Sequence, residues 1–162
     1  MVRQMTEPLV LYRIRPATPA DLTALLALDR QCSVMPWQEA AWRHDLAPAS
    51  PIRCLVAEAP DGTIAGFAVC QVTLDEGEIT GVAVHPACRQ RGVARNLLRV
   101  LADQVAGEGV ASLYLEVRAG NEPARRLYAA AGFQAVGHRR GYYADNAEDA
   151  IIMLKRLENT DA

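Results

Sequence analysis

One stretch limits the folds open to this chain more than any other: residues 82–95, taken with the alternating segment at 112–117. Val82, Ala83 and Val84 are short and suit a strand, and His85-Pro86 stops it, because proline fixes φ and offers no N–H. Arg89-Gln90-Arg91-Gly92-Val93-Ala94 spells Arg-x-x-Gly-x-Ala, and Val93, Leu97, Val100, Leu101 and Val105 then recur at helical spacing. Leu113, Leu115 and Val117 alternate with Tyr114 and Glu116, the period of a half-buried strand. Strand, helix and strand in this order predict a parallel crossover. The helix opens where Gly92 and Ala94 have almost no side chain, so its first N–H groups are unpaired and suit a phosphate together with the helix dipole.

Around this unit the pattern is mixed. Residues 1–8 read as a loose end and 9–15 as a first strand. Thr18 is a candidate N-cap, with Pro19 and Asp21 in the first turn of a helix running to about Cys32, where Leu22, Leu25, Leu26 and Asp29 share the period. A break at 33–37 precedes a short helix at 38–46. Three strands are predicted at 52–57, 63–72 and 78–84, joined by turns at Pro60-Asp61-Gly62 and Asp75-Glu76-Gly77, which makes an antiparallel meander. Beyond the crossover come a helix at 122–131, with Asn121 or Glu122 as cap, and strands at 133–140 and 150–157. The prediction is one α+β domain over residues 1–162, its core at about 9–157 and its ends flexible, with about seven mostly antiparallel strands, a parallel pair at a cleft, and about four helices.

Charge and composition exclude several classes. Lys+Arg 17 against Asp+Glu 19 lacks the basic excess of a general nucleic-acid binder, so no direct nucleic-acid contact is expected. Cys32, Cys54, Cys70 and Cys88 form no C-x-x-C pair, so no metal or redox site is indicated, and four reduced, mostly buried thiols in a cytoplasmic protein are expected. Cys88 lies near a helix start, which can activate a thiol, but no cysteine nucleophile is needed here. No signal peptide or membrane-crossing run is visible. The loop is neither a Walker A, which needs Gly-Lys-Ser/Thr, nor a dinucleotide fingerprint, of whose glycines only Gly92 is present. Arg91, Arg95 and Arg99 form a stripe that suits a solvated helix face as well as a ligand. Glu116 lies near the C-terminal end of its strand, where a parallel sheet binds ligands, and a carboxylate there can act as a base. Tyr128, on the next helix, is either a packed core tyrosine or a phenol able to give up a proton. Trp42 reads as core. Trp37, beside a proline, is the better candidate for a groove wall, and Tyr142-Tyr143 suit a peptide groove and the packing of the last hairpin equally.

With these residues in hand the chain resembles the Gcn5-related N-acetyltransferase (GNAT) superfamily, whose acetyl-CoA motif is Gln/Arg-x-x-Gly-x-Gly/Ala. Within it the chain is similar to the RimI-type family, which acetylates the N-terminal alanine of a small-subunit ribosomal protein. The segments carrying the likeness are Met35-Pro36-Trp37, residues 79–86, Leu115-Glu116-Val117-Arg118-Ala119-Gly120-Asn121, residues 127–133, Arg139-Arg140-Gly141-Tyr142-Tyr143 and Glu148-Asp149-Ala150-Ile151-Ile152-Met153. Gly120 and Gly141 stand where members often have Ser and Asn.

The resemblance implies acetyl-CoA as co-substrate and no metal. It implies that Val82, Ala83 and Val84 hold the cofactor through their backbone, with Gln90, Arg91, Gly92, Val93, Ala94 and Arg95 at the pyrophosphate and Asn121 near the pantetheine. It implies Glu116 as general base and Tyr128 as general acid. The partner it implies is the N-terminal segment of a ribosomal protein, with no membrane involved. An acetyltransferase acting on lysine, polyamine or another small amine is the alternative within the fold, and a non-catalytic acyl-CoA-binding module the alternative outside catalysis.

Overall fold

The computed structural model describes residues 11–158. Seven strands form one sheet: β1 (Arg13–Pro16), β2 (Ile52–Glu58), β3 (Ile64–Thr73), β4 (Glu76–Val84), β5 (Ser112–Arg118), β6 (Gln134–Arg139) and β7 (Ala150–Arg156). Their order across the sheet is β1-β2-β3-β4-β5-β7-β6. Every pairing is antiparallel except β4 with β5. Four α-helices complete the chain: α1 (Leu22–Cys32), α2 (Glu39–Asp45), α3 (Val93–Gly107) and α4 (Glu122–Ala130). The α+β architecture and the parallel crossover through α3 follow the sequence pattern. No helix among the described residues is long and apolar enough to cross a membrane.

The sheet is coated on both faces. One core gathers Val93, Leu97, Leu101 and Val105 of α3 with Leu113, Leu115 and Val117 of β5, and Leu127 and Tyr128 of α4 pack against it. The other gathers Leu25 and Leu28 of α1, Trp42 of α2 and Phe67, Val69 and Ala83 of the sheet. Trp42 is fully buried, edge-on to Phe67 at 5.1 Å between ring centroids, as its core assignment predicts.

Several expectations need correction. The described part of the first strand is Arg13–Pro16 rather than 9–15; Leu11 is exposed, and residues 1–10 lie outside the described range. Pro16 closes this edge strand. The segment Pro19–Asp21 is a 3-10 turn leading into α1, and Asp21 accepts the Thr18 N–H at 2.8 Å. The β3–β4 turn is Leu74-Asp75, with Thr73 opposite Glu76, so Glu76 and Gly77 belong to the strand. Within that turn Leu74 carries a left-handed φ of 56°. Gly77 serves packing: a Cβ there would come within 2.6 Å of Leu113 Cδ2. Among the four unbridged cysteines only Cys70 is buried, the others being half-buried, and Cys88 ends a short 3-10 turn (Pro86–Cys88) ahead of α3.

Candidate active site

The site begins where the parallel pair comes apart. β4 and β5 pair only through Glu76–Ser112, Gly77–Leu113 and Glu78–Tyr114. Just beyond, the register of β4 on β3 slips: Ile79 faces Cys70 and Gly81 faces Val69, leaving Thr80 as an extra residue. A bulge bends and twists its strand. It also reverses the alternation: Gly77 and Ile79 face the α3 core, whereas Gly81 and Ala83 face the α1–α2 core. From Ile79 to Val84, β4 has β3 on one side and no strand on the other, and Leu115–Arg118 of β5 pairs only with β7. The two strands form a fork. Val82, Ala83 and Val84 line its β4 arm. The Val84 carbonyl there accepts from Arg89 Nε at 3.1 Å and from the Cys32 thiol at 3.6 Å.

The loop after β4 follows from its residues. His85 Nδ1 accepts the Ala87 N–H at 3.1 Å, and the chain turns over Pro86–Cys88. Gln90 and Gly92 then take left-handed φ values of 63° and 77°. The first helical bond of α3 runs from the Asn96 N–H to the Gly92 carbonyl at 3.0 Å, and no side chain caps the end. The N–H groups of Val93, Ala94 and Arg95 therefore have no partner within the helix and stand at the positive end of its dipole. A Cβ on Gly92 would meet nothing within 4 Å, so its φ, not crowding by protein, calls for glycine. Arg91 and Arg95 are exposed, while Val93 is buried and Ala94 packs on the core.

On β5 the pleat sends Leu115 and Val117 into the α3–α4 core and Glu116 to the opposite face. Glu116 is engaged there. Its Oε1 lies 3.2 Å from Arg139 Nε, and the carboxylate holds the nearby Tyr142 phenol above its ordinary pKa. Two residues on, Arg118 pairs with Asp145 at 3.0 Å and Glu148 at 3.4 Å, and its guanidinium lies 4.0 Å over the Tyr143 ring. Glu148 accepts the Gly120 N–H at 2.8 Å, a bond that lowers its pKa, and Asp149 accepts the Gly141 N–H at 2.8 Å. These contacts stitch the β5–α4 loop to the β6–β7 loop. They also separate the two tyrosines: Tyr143 is half-buried and clamped by Arg118, whereas Tyr142 is exposed and turned to Glu116.

Tyr128 packs edge-on to Phe133 at 6.0 Å on the α3–α4 side, so it and Glu116 lie on opposite faces of the sheet. Burial pushes its phenol up to about 12, with the nearby Tyr143 adding to the shift. Asn121 caps α4 by accepting the Ala124 N–H at 3.2 Å, and its side chain is exposed.

Trp37 lies against β4 just past the bulge: a Cβ on Gly81 would stand 3.1 Å from Trp37 Cη2. It is fixed by Asp29, which is 4% exposed and accepts the Trp37 N–H at 2.9 Å, the Trp42 indole N–H at 3.0 Å and the Ser33 hydroxyl. The sequence hint for Asp29 was a carboxylate on the apolar stripe of α1. Arg118, Arg139 and Glu148 gave no local hint, though they sit in segments that carry the family likeness. Among the described residues no group of three or more His, Cys, Asp or Glu side chains is placed to hold a metal ion. A hollow of about 380 Å³, lined in part by Asp45, Leu46, Arg53, Cys54 and Gln104, contains none of the fork's residues.

A split parallel pair beside an uncapped helix start is the architecture of an acyl-CoA-dependent N-acyltransferase, and comparison with known proteins agrees. The sequence model of the Acetyltransferase (GNAT) family matches residues 22–133. The chain is 38% identical over 136 residues to the [ribosomal protein bS18]-alanine N-acetyltransferase of Escherichia coli (strain K12), covering 82% of this chain and 89% of that one. It is 32% identical over 133 residues to a putative enzyme of the same name from Bacillus subtilis (strain 168), covering 82% and 87%. The crystal structure of the ribosomal-protein-S18-alanine N-acetyltransferase from Escherichia coli superposes with a TM-score of 0.83 at 34% identity, covering 91% of this chain and 95% of that one. This chain belongs to the GNAT acetyltransferase family.

Proposed function

We propose that this protein transfers the acetyl group of acetyl-CoA to the α-amino group of an N-terminal alanine, that of a small-subunit ribosomal protein, in the cytoplasm, and that residues 1–162 act as one N-acetyltransferase domain. The observation that carries the reading is the fork: one arm ends at the open N-terminus of α3, and the other carries Glu116. The names of the 38% and 32% identical relatives supply the acceptor class.

The two faces of the sheet divide the chemistry. Acetyl-CoA fits the α3–α4 side, where the N–H groups of Val93, Ala94 and Arg95 with the Gln90–Gly92 turn suit a pyrophosphate, and the unpaired edge of Val82–Val84 suits the amides of pantetheine. Asn121 lies in the loop bordering that path. The acceptor amine fits the opposite side, between Trp37 and Tyr142, where Glu116 stands. An α-amine has a pKa near ~8 and is mostly protonated at neutral pH. Glu116, directly or through one water, takes the proton that must leave before attack. A backbone N–H on the open edge of β4 polarises the thioester carbonyl. Tyr128, kept protonated by its burial, donates to the departing sulfur. Holding both substrates across one fork supplies proximity without a covalent enzyme intermediate.

The test is CoA release by the purified protein with acetyl-CoA and peptides beginning Ala, Ser or Met, alongside free lysine and spermidine. Turnover confined to Ala-starting peptides is expected. Turnover on lysine or spermidine instead would transfer the activity to the small-amine alternative, and none on any acceptor would leave an acyl-CoA-binding module. Glu116→Gln should lower kcat most at low pH, and Tyr128→Phe should slow turnover with acetyl-CoA binding retained. Unchanged kcat in both removes their assigned roles.

A further inference from the structure

Glu116 is paired with a cation of the protein's own. Arg139 ends β6, the edge strand, and β7 separates it from β5. Two strand spacings, roughly 10 Å, lie between β5 and β6. The register explains how the side chain spans them. Ile152 of β7 faces Glu116 on one side and Gly137 on the other, so the β6 position level with Glu116 has no side chain. Arg139, two residues along and on the same face, reaches over that gap to Glu116. It is 55% exposed, whereas the Glu116 side chain is 16% exposed. Tyr142 faces the same carboxylate and also stands beside Arg139, whose guanidinium is 5.6 Å from its ring centroid. Arg118, by contrast, is locked to Asp145 and Glu148 and cannot stand in.

We propose that Arg139 is a positioning residue that holds Glu116 until the acceptor arrives and is displaced by the acceptor's ammonium, so that binding exchanges one cation for another on the same carboxylate. This rests on Glu116 being the base of the proposed reaction. An exposed ion pair is worth only about 0–1 kcal/mol and is readily opened. The exchange spares Glu116 a period as an unpaired carboxylate in a half-buried place, and it selects an acceptor that carries a positive charge on arrival. Once Arg139 has left, the amine proton can pass to Glu116. The groups facing Glu116 among the described residues are Arg139 of β6, Tyr142 and Tyr143 of the β6–β7 loop, and Tyr114 and Arg118 of β5 itself. The tyrosines stay neutral at working pH, so Arg139 is the displaceable charge.

The test measures kcat and the KM of each substrate for the full chain with an Ala-starting peptide, for wild type, Arg139→Gln and Arg139→Lys. In Arg139→Gln the acceptor KM should fall by up to about fivefold, the worth of one surface ion pair, with KM for acetyl-CoA unchanged and no matching loss of kcat, because Arg139 has already gone when the ternary complex forms. Arg139→Lys should restore the wild-type acceptor KM. A kcat that falls along with KM would mean that Arg139 stays on Glu116 through turnover, and an unchanged or raised acceptor KM would equally overturn the exchange. Glu116→Gln separates this failure from that of the parent reading: unchanged kcat in Glu116→Gln removes the base itself, whereas lost kcat there beside an unmoved acceptor KM in Arg139→Gln rejects only the exchange.

Discussion

Replacing Gly77 by alanine tests why the fork opens where it does. If Gly77 served a turn, alanine would be penalised by backbone conformation. Its φ is not left-handed, however, and alanine in a strand interior should gain about 0.5–1 kcal/mol over glycine from chain entropy alone. The collision opposes this gain. The new Cβ would stand 2.6 Å from Leu113 Cδ2, 3.0 Å from Cys70 Sγ and 3.6 Å from Val110 Cγ1, and all three neighbours are fully buried. Carbon atoms rest at about 3.5–4.0 Å, so Leu113 must retreat by roughly 1 Å inside a packed core. Overpacking of this kind costs about 1–3 kcal/mol, leaving a net loss near 1 kcal/mol. Urea unfolding of Gly77→Ala, Leu113→Ala and the double variant measures it. Leu113→Ala alone should cost about 2–5 kcal/mol. The double variant should lose less than the sum, because the atom that collides is gone. Since Gly77 and Leu113 form the last-but-one pair before the fork, Gly77→Ala should also raise KM for acetyl-CoA. A variant as stable as wild type, or an additive cycle, would refute the reasoning.

Gly92→Val forces a β-branched residue into a φ of 77°, where a side chain costs about 1–2 kcal/mol; it should distort the start of α3 and raise KM for acetyl-CoA more than that for the peptide, and unaltered cofactor binding would clear the loop of its role. Asp29→Ala strands the buried Trp42 indole N–H and the Trp37 N–H, at about 1–3 kcal/mol for each group left unsatisfied; thermal unfolding should show the loss, together with a raised acceptor KM, and an unchanged melting temperature would mean that neither tryptophan depends on Asp29. Asp21 is held below the usual carboxylate range chiefly by Arg15, which bonds it at 2.9 Å through both terminal nitrogens. A lowered folded pKa contributes stability that is present above the unfolded value of about 3.9 and is lost as pH falls through the folded value. The urea midpoint should therefore drop less steeply below about pH 4 in Asp21→Asn than in wild type, and parallel slopes would count against the pair.

What the sequence disclosed depended on how local the cause was. α3 was legible because its apolar positions repeat over fifteen residues, and β5 because Leu113, Leu115 and Val117 alternate without interruption. The Arg-x-x-Gly-x-Ala loop was legible because the left-handed φ of Gly92 is a property of the loop itself. The β3–β4 turn was misplaced because a glycine serves either a turn or a close approach, and only the position of Leu113, far along the chain, decides which. The half-exposure of Cys32, Cys54 and Cys88 has the same origin: composition gives the tendency of a thiol to be buried, and packing decides each one.

The bulge at Thr80 and the surroundings of Glu116 show why the reactive geometry lay out of reach of local pattern. Alternation read straight through residues 76–84 puts Gly77, Ile79, Gly81 and Ala83 on one face, but the extra residue divides them between the two cores. That reversal lays Gly81 under Trp37 and turns the β4 edge away from β5. Around Glu116 the decisive fact is the strand order, in which β7 enters between β5 and β6 after the chain has already passed β6. Only then do Arg139 and Tyr142, more than twenty residues downstream, come to the carboxylate, and only because Gly137 leaves the lane between them open. Family likeness could mark Arg139 and Tyr142 as part of a shared segment, since it records that the residues go together. It could not say what they do there, because their effect on Glu116 is a contact across two strand spacings. The residue type that makes Glu116 a candidate base is thus written in β5, while the side chains that surround its carboxylate are written in β6 and its loop.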